Sequence, residues 1–400
     1  MNIRGKHNEA IIYTGNVDKE TISQVTELCN QEFTRDSKIR IMPDCHKGAG
    51  CTIGTTMTIT DKVVPNLVGV DIGCGMITYK LNVKELDLEK LDSLLGTEVV
   101  PSGFGIKEKQ NLKFTKHINL KDLKCHKYID KERALRSLGS LGGGNHFCEL
   151  SKDDEGTLYL IIHSGSRHLG KQVCDYYQGQ AIKQAKHRKD EQVKNIIANC
   201  KYAGAEEVIS KLIQEHVEVV PRDLSYLEGG LFEDYLHDMR IVQRYAELNR
   251  EAMGYELFRG LGLDPIEVVE EYFHTVHNYI DLQSMILRKG AVSAKKGETL
   301  LIPINMSDGS LLCRGKGNPE WNYSAPHGAG RVLSRAQAKA LLSIDDYKST
   351  MTDVYTTSVT LSTIDEAPQA YKPLKDIVDN IGDTVEIVAV LKPVYNYKAH

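Results

Sequence analysis

The run Val63-Val-Pro-Asn-Leu-Val-Gly-Val-Asp-Ile-Gly-Cys-Gly-Met76 begins as apolar chain fit for a buried core and ends on an acid and a thiol set among glycines. A short apolar run bounded by turn residues reads as a buried strand, and it delivers Asp71 and Cys74 where the backbone is most permissive. Immediately upstream, Cys51 to Thr60 and Lys62 to Val70 read as two strands divided by a turn at Asp61. Before them, Thr21 to Phe33 sets Ile22, Val25, Leu28 and Cys29 at helical spacing.

Beyond the run, Glu85 to Leu95 repeats leucines at helical intervals, and Thr157 to His163 is a short strand leading into the polar cluster HSGSRH. From about Lys171 to Asp281 the pattern is mainly helical. Val208, Ile209, Leu212 and Ile213 form one stripe within Ala205 to Val217, and a second helix covers Phe232 to Met253. A strand over Glu298 to Asn305, a glycine-rich loop to Arg331, a helix over Ser334 to Leu342 and a strand over Val385 to Val394 complete the chain. With no repeat and no Pro/Gly/Ser linker, this predicts an α+β (mixed α/β) fold. One domain spans residues 1–400, with central sheets and a helical insertion at approximately 171–281.

Composition narrows the class. Nine cysteines without a CxxC pair imply reduced thiols, and no run of about 18 apolar residues suggests a membrane span or an export signal, so a cytoplasmic protein is expected. A formal net charge of −4 means that a nucleic-acid partner must be held by a local basic surface. Lys107 to Arg136, dense in Lys and Arg and interleaved with Phe114 and Tyr128, is the candidate for RNA docking.

The chemistry gathers at a few places. Thiolate and carboxylate at Cys74 and Asp71 can point at one site across a glycine turn; on their own they read first as a buried Cys and an acid-stabilised turn, and the partners elsewhere in the chain reverse that reading. Partners follow in Leu141-Gly-Gly-Gly-Asn-His-Phe-Cys-Glu149, in Ile162-His163-Ser-Gly-Ser-Arg-His168 and in Val276-His277-Asn278. Mixed Cys, His and Asp ligation suits divalent transition metals, and one thiolate among several imidazoles suffices for two ions sharing a sulfur. A loop from Pro303 to Arg331, rich in glycines, amides and hydroxyls, surrounds His327. Its backbone N–H groups suit phosphate oxygens, and a neutral imidazole held there suits attack on phosphorus. There is no Walker A motif and no GxGxxG.

Taken in order, MPDCHKGAG (Met42 to Gly50), VVPNLVGVDIGCGM, LGGGNHFCE, HSGSR, VHNY, RGKGNP, HGAGR, DEAPQAYK (Asp365 to Lys372) and KPVYNYK (Lys392 to Lys398) make the chain resemble the RtcB family of tRNA-splicing and RNA-repair ligases over nearly its whole length. The resemblance implies a GTP- and Mn²⁺-dependent enzyme joining an RNA 3′-phosphate or 2′,3′-cyclic phosphate to a 5′-hydroxyl. On matching motifs Cys74 would bridge two Mn²⁺ ions, with Asp71 and His146 on one and His163 and His277 on the other. His327 would take GMP and pass it to the RNA 3′-phosphate, and the 5′-hydroxyl would displace it. The family's nucleotide positions fall here on Asn145, His146, Phe147, Cys148, Glu149, His277, Asn278, Pro303, Ile304, Asn305, Met306, Ser310, His327, Gly328, Ala329, Gly330 and Lys398, with Arg331 placed to meet phosphate. An archease-like activator is a possible partner by the same resemblance. Departures stand at Ile304-Asn305-Met306-Ser307, where Gly-Ser-Met-Gly is usual, and at Ala325-Pro326. Two other readings keep the metals: a non-catalytic RNA-binding paralogue, and a dinuclear phosphoesterase that would need neither His327 nor Lys398.

Overall fold

The computed structural model describes residues 1–217 and 219–399. Helix and sheet are mixed along the chain, as an α+β fold requires. Two sheets dominate. A seven-stranded antiparallel sheet runs in the order Val269–Val276, Gly75–Leu81, Leu158–Ser164, Phe147–Lys152, Val385–Lys398, Gly309–Gly315, Thr299–Asn305. A six-stranded sheet runs Asn2–Arg4, Glu9–Ile12, Ile39–His46, Ile53–Thr58, Ile286–Lys289, Asn278–Asp281.

Side-chain alternation sorts the larger sheet into two faces. Ile77, Tyr79, Cys148, Leu150, Leu160 and Ile162 pack with Met253, Leu257 and Phe258 of the helix Gly230–Leu261. Met76, Phe147, Tyr159 and Ile161 face the other way, toward Leu301, Leu312 and Leu391. His163 stands in register with Met76 and Phe147, so the sheet itself carries it to this second face.

Three expectations are corrected. After Val63 the backbone leaves the strand: Lys62–Val63 pair with Leu227–Glu228, and Pro65 then opens a 3-10 turn over Pro65–Leu67. A proline fixes φ near the helical value and gives no N–H to a ladder, so it starts a turn well and continues a strand poorly. The helical block begins at Arg167 and its last helix closes at Val268. Val269–Val276 and Asn278–Asp281 are therefore strands, in keeping with the β-branched and aromatic residues of VEEYFHTV. The stripe of Val208, Ile209, Leu212 and Ile213 is only half-buried, packed on the far end of the helix Arg167–Ala203. Among the described residues no helix is long and apolar enough to cross a membrane, and all nine cysteines are buried and unpaired.

The helix Gly230–Leu261 also grips the loops that lead to the candidate ligands. Arg250, fully buried, donates through Nη1 to the carbonyls of Gly73 and Ser164, each at 2.8 Å. Its neighbour Asn249 accepts from the N–H groups of Gly139 (2.7 Å) and Ser140 (3.1 Å) and donates to Ser140 O, Ser164 Oγ and Gly165 O, each at 3.1 Å. These bonds satisfy backbone groups in three loops that have no ladder partner there, and they hold those loops together.

Candidate metal centre and adjoining cleft

Five residues from four separated segments converge. Cys74 Sγ lies 3.4 Å from both His146 Nε2 and His163 Nε2, and His146 Nε2 is 3.0 Å from Asp71 Oδ2. Two ligand-like groups result, Cys74 with His163 and His277, and Asp71 with Cys74 and His146, each with its donor atoms within 4.8 Å of one another. The thiol belongs to both. Gly73, at φ +74, makes this turn possible: a Cβ there would sit 2.8 Å from Ala246 Cβ, so no larger residue fits between the ligand loop and the helix.

The hydrogen bonding of these residues fits a cation. His146 Nδ1 donates to the Leu141 carbonyl at 2.7 Å and His163 Nδ1 to the Asn145 carbonyl at 3.2 Å; a carbonyl can only accept, so the proton of each neutral ring is spent there. The Nε2 of each then faces Cys74, and that of His146 also lies against the Asp71 carboxylate, a position that either a cation or a second ring proton can occupy. His277 Nδ1 is buried without a hydrogen-bond partner. Burial, reinforced by the neighbouring imidazoles, holds the pKa of His163 and His277 well below the ordinary histidine value, which keeps both rings neutral, the form that can ligate a cation. Burial and the adjacent Asp71 raise the Cys74 thiol, and a divalent cation would take the place of its proton. Burial also works to raise Asp71, but hydrogen bonding and charge from His146 outweigh it and hold the carboxyl at about 2. One thiolate, three imidazoles and a carboxylate are a transition-metal donor set.

Beside this centre opens a cavity of about 290 Å³ lined by His163, His277 and His327, by Asn145, Phe147, Glu149 and Lys398, and by the Pro303–Met306 and Gly328–Arg331 segments. The His277 and His327 rings are 5.0 Å apart between centroids, so the two sites adjoin. His327 Nδ1 lies 2.6 Å from Asp44 Oδ2, off the line of a straight hydrogen bond, and the His327 backbone N–H donates to the same oxygen at 3.1 Å. Asp44 is fully buried and fixes one side of the ring, leaving Nε2 for the cavity. Lys372 in turn donates to the carbonyls of Pro43 (3.1 Å) and Cys45 (3.3 Å), bracing the strand that carries Asp44.

Across the cavity, Lys398 Nζ reaches Glu366 Oε2 at 3.0 Å and the Asn145 carbonyl at 3.3 Å. Arg331 is engaged by Glu366 (3.3 Å), Tyr371 Oη (3.3 Å) and the Asp365 carbonyl. Burial would raise the Glu366 carboxyl, yet Lys398, Arg335 and Tyr371 hold it at about 2. Glu149 differs: burial lifts its carboxyl to about 7 despite hydrogen bonds from Ser151 Oγ (2.7 Å) and Asn396 Nδ2 (2.8 Å) and the nearby Lys398. A group poised there can donate or accept near neutral pH.

Most residues expected at a nucleotide line this cavity, with four exceptions. Cys148 points to the opposite face of the sheet, as alternation with Phe147 and Glu149 demands. Asn278 serves the backbone, accepting from Gly290 N–H at 2.9 Å. Ser310 is buried with its hydroxyl unpartnered, away from the cavity lining. His146 belongs to the metal centre and not to the cavity wall. Asp44, His46, Arg335, Glu366, Tyr371 and Asn396 are site residues that sequence reasoning did not single out. Five of the six lie inside motifs already quoted for the resemblance, MPDCHKGAG, DEAPQAYK and KPVYNYK.

A thiol common to two candidate ligand groups, next to an imidazole that lines an open cavity, is an arrangement suited to metal-assisted nucleophilic chemistry. The family described as "tRNA-splicing ligase RtcB" matches residues 24–127 and 99–399, and the chain belongs to it. It is 30% identical over 390 residues to the RNA-splicing ligase RtcB of Escherichia coli strain K12, covering 89% of this chain and 88% of that protein. Similar proteins include the tRNA-splicing ligases RtcB of Aeropyrum pernix (26% over 468 residues, 94% of this chain and 91% of that one) and Methanococcus maripaludis (27% over 439 residues, 88% and 86%).

Proposed function

We propose that the protein is an RNA ligase that uses GTP and Mn²⁺ to join an RNA 3′-phosphate or 2′,3′-cyclic phosphate end to a 5′-hydroxyl end, in tRNA splicing or RNA repair. The observation that carries this reading is the adjacency of the Cys74-centred ligand groups to His327, whose ring faces the cavity while Asp44 holds its far side. Asp71, Cys74, His146, His163 and His277 would hold the ions. When bound, Mn²⁺ supplies positive charge beside the reacting phosphate.

The chain's own residues divide the remaining work. Asp44 holds the His327 tautomer and aims Nε2 at phosphorus, the arrangement a histidine nucleophile needs. Lys398 and Arg331 offer cations to phosphate, released from Glu366 as the nucleotide enters. Glu149, buried at the cavity wall, gives the base a hydrogen-bonding carboxyl. Guanylylation of His327 with loss of pyrophosphate, transfer of that GMP to the RNA 3′-phosphate with release of the free imidazole, and displacement of GMP by the 5′-hydroxyl divide one condensation into three displacements.

Replacing Asp44 by Asn keeps the shape and removes the charge that fixes the ring. Self-labelling of Asp44→Asn by GTP is expected to slow by as much as about 10⁴-fold, the size of effect seen where a carboxylate sets a catalytic tautomer. Stopped-time labelling gels measure it; a wild-type rate would remove Asp44 from the mechanism. The function itself is tested with paired RNA fragments. Joining is expected for 3′-phosphate and cyclic-phosphate ends with a 5′-hydroxyl partner, and not for a 3′-hydroxyl end with a 5′-phosphate partner. The reverse pattern, or cleavage without joining, would reject the ligase reading and in the second case favour a phosphoesterase.

A further inference from the structure

Phe104 is the one fully exposed phenylalanine among the seven in the chain, 95% accessible, and the other six are buried or half-buried. Its loop is held firmly. Gly103 N–H donates to the Gly142 carbonyl at 2.7 Å, Arg167 Nη2 donates to the Gly103 carbonyl at 2.9 Å, and Gly105 N–H closes the turn on Ser102 O at 2.9 Å. The ring therefore stands in water on a fixed support. Gly142 lies behind the candidate centre: a Cβ there would run into the Arg167 guanidinium and come within 2.8 Å of His146 Nδ1, the ring nitrogen turned away from Cys74. The loop that carries Phe104 is thus anchored on Gly142 and Arg167, on the His146 side of the group.

Cations surround the same approach. Arg133 and Lys171 lie near His168, with Asp130 and Asp175 beside them and Lys171 paired to Asp175, and Arg133 also lies near Arg167, whose side chain pins the Phe104 loop. The exposed lysines 109, 113, 116, 121, 124 and 127 continue this surface along the outside of the helix Gly230–Leu261. An exposed aromatic ring among backbone-seeking cations matches single-stranded nucleic acid, whose bases stack and whose phosphates are neutralised.

The order of the rings decides which strand. His146, His163, His277 and His327 form a row with successive centroids 5.2, 5.0 and 5.0 Å apart. The nucleotide cavity lies at the His327 end and the Phe104 loop at the His146 end. In an in-line displacement the attacking oxygen enters opposite the leaving group. With GMP leaving toward His327, the 5′-hydroxyl arrives from the His146 side. Resting on the ligase reading above, we propose that Phe104 is the stacking platform for the first base of the 5′-hydroxyl RNA strand, a positioning residue for the joining step.

The test uses the full chain with Mn²⁺ and a short 5′-hydroxyl RNA carrying 2-aminopurine as its first base. Wild type and Phe104→Tyr are expected to quench the fluorophore on binding. Phe104→Ala should lose the quench and bind roughly five- to a hundred-fold more weakly. An RNA whose first nucleotide is abasic should bind wild type and Phe104→Ala alike. Equal quenching and Kd in wild type and Phe104→Ala, or a weakening that persists with the abasic RNA, would overturn the proposal. GTP self-labelling of the same preparations separates the two readings. Labelling without Phe104-dependent quenching leaves the ligase and rejects the platform; Phe104-dependent quenching without labelling does the opposite.

Discussion

Incubated with Mn²⁺ and α-labelled GTP, the His327→Ala protein should retain no covalent label, whereas wild type should be labelled in a bond that acid breaks and alkali spares. The expected loss is complete because no other ring in the cavity is equivalent. His163 and His277 are turned to Cys74 and grouped with it as ligands. His46 also lines the cavity, with Nδ1 3.0 Å from the Asp44 carbonyl, and it supplies the control. Label surviving in His327→Ala and disappearing in the His46→Ala double variant would transfer the nucleophile to His46. Label surviving in both would end the covalent-histidine mechanism.

Cys74→Ala should empty the metal centre entirely. The sulfur belongs to both ligand groups, so its removal takes a donor from each ion at once, a larger loss than the roughly 10- to 100-fold that outer-shell partners contribute to metal affinity. Wild type dialysed against Mn²⁺ is expected to retain two ions per chain and Cys74→Ala none. His277→Ala should keep one, because Asp71, Cys74 and His146 remain grouped without it. Self-labelling should vanish with the ions in Cys74→Ala and after EDTA treatment of wild type. Two ions retained by Cys74→Ala would show that the sulfur is not shared.

The ligand set was legible because its residue types are scarce and sit beside glycines. The three glycines before Asn145 and His146, and those around Cys74, marked places where backbone approaches a ligand closely. The carboxylates were harder. Asp44 and Glu366 are two among 54 acidic residues, and only the third dimension shows that one touches His327 and the other Lys398. The side chain of Cys148 turns from the cavity by the two-residue period of its strand, a feature that motif matching does not read. Strand Val269–Val276 was read as helix because the long helical pattern before it masked a change of period, and Val64 to Val70 was read as strand because its apolar character outweighed Pro65. The altered loop at Ile304–Ser307 shows a local substitution at work. Asn305 Oδ1 accepts from the N–H groups of Ser307 (2.9 Å) and Asp308 (2.8 Å), closing the turn by side chain.

The grip of Asn249 and Arg250 on the loops at Gly73, Ser140 and Ser164 has a thermodynamic consequence for breathing motions. Amides in those loops and in the middle of the helix Gly230–Leu261 share one opening event, because neither can be released to solvent while the other stays closed. The candidate centre and the helix that holds its loops thus form a single cooperative unit.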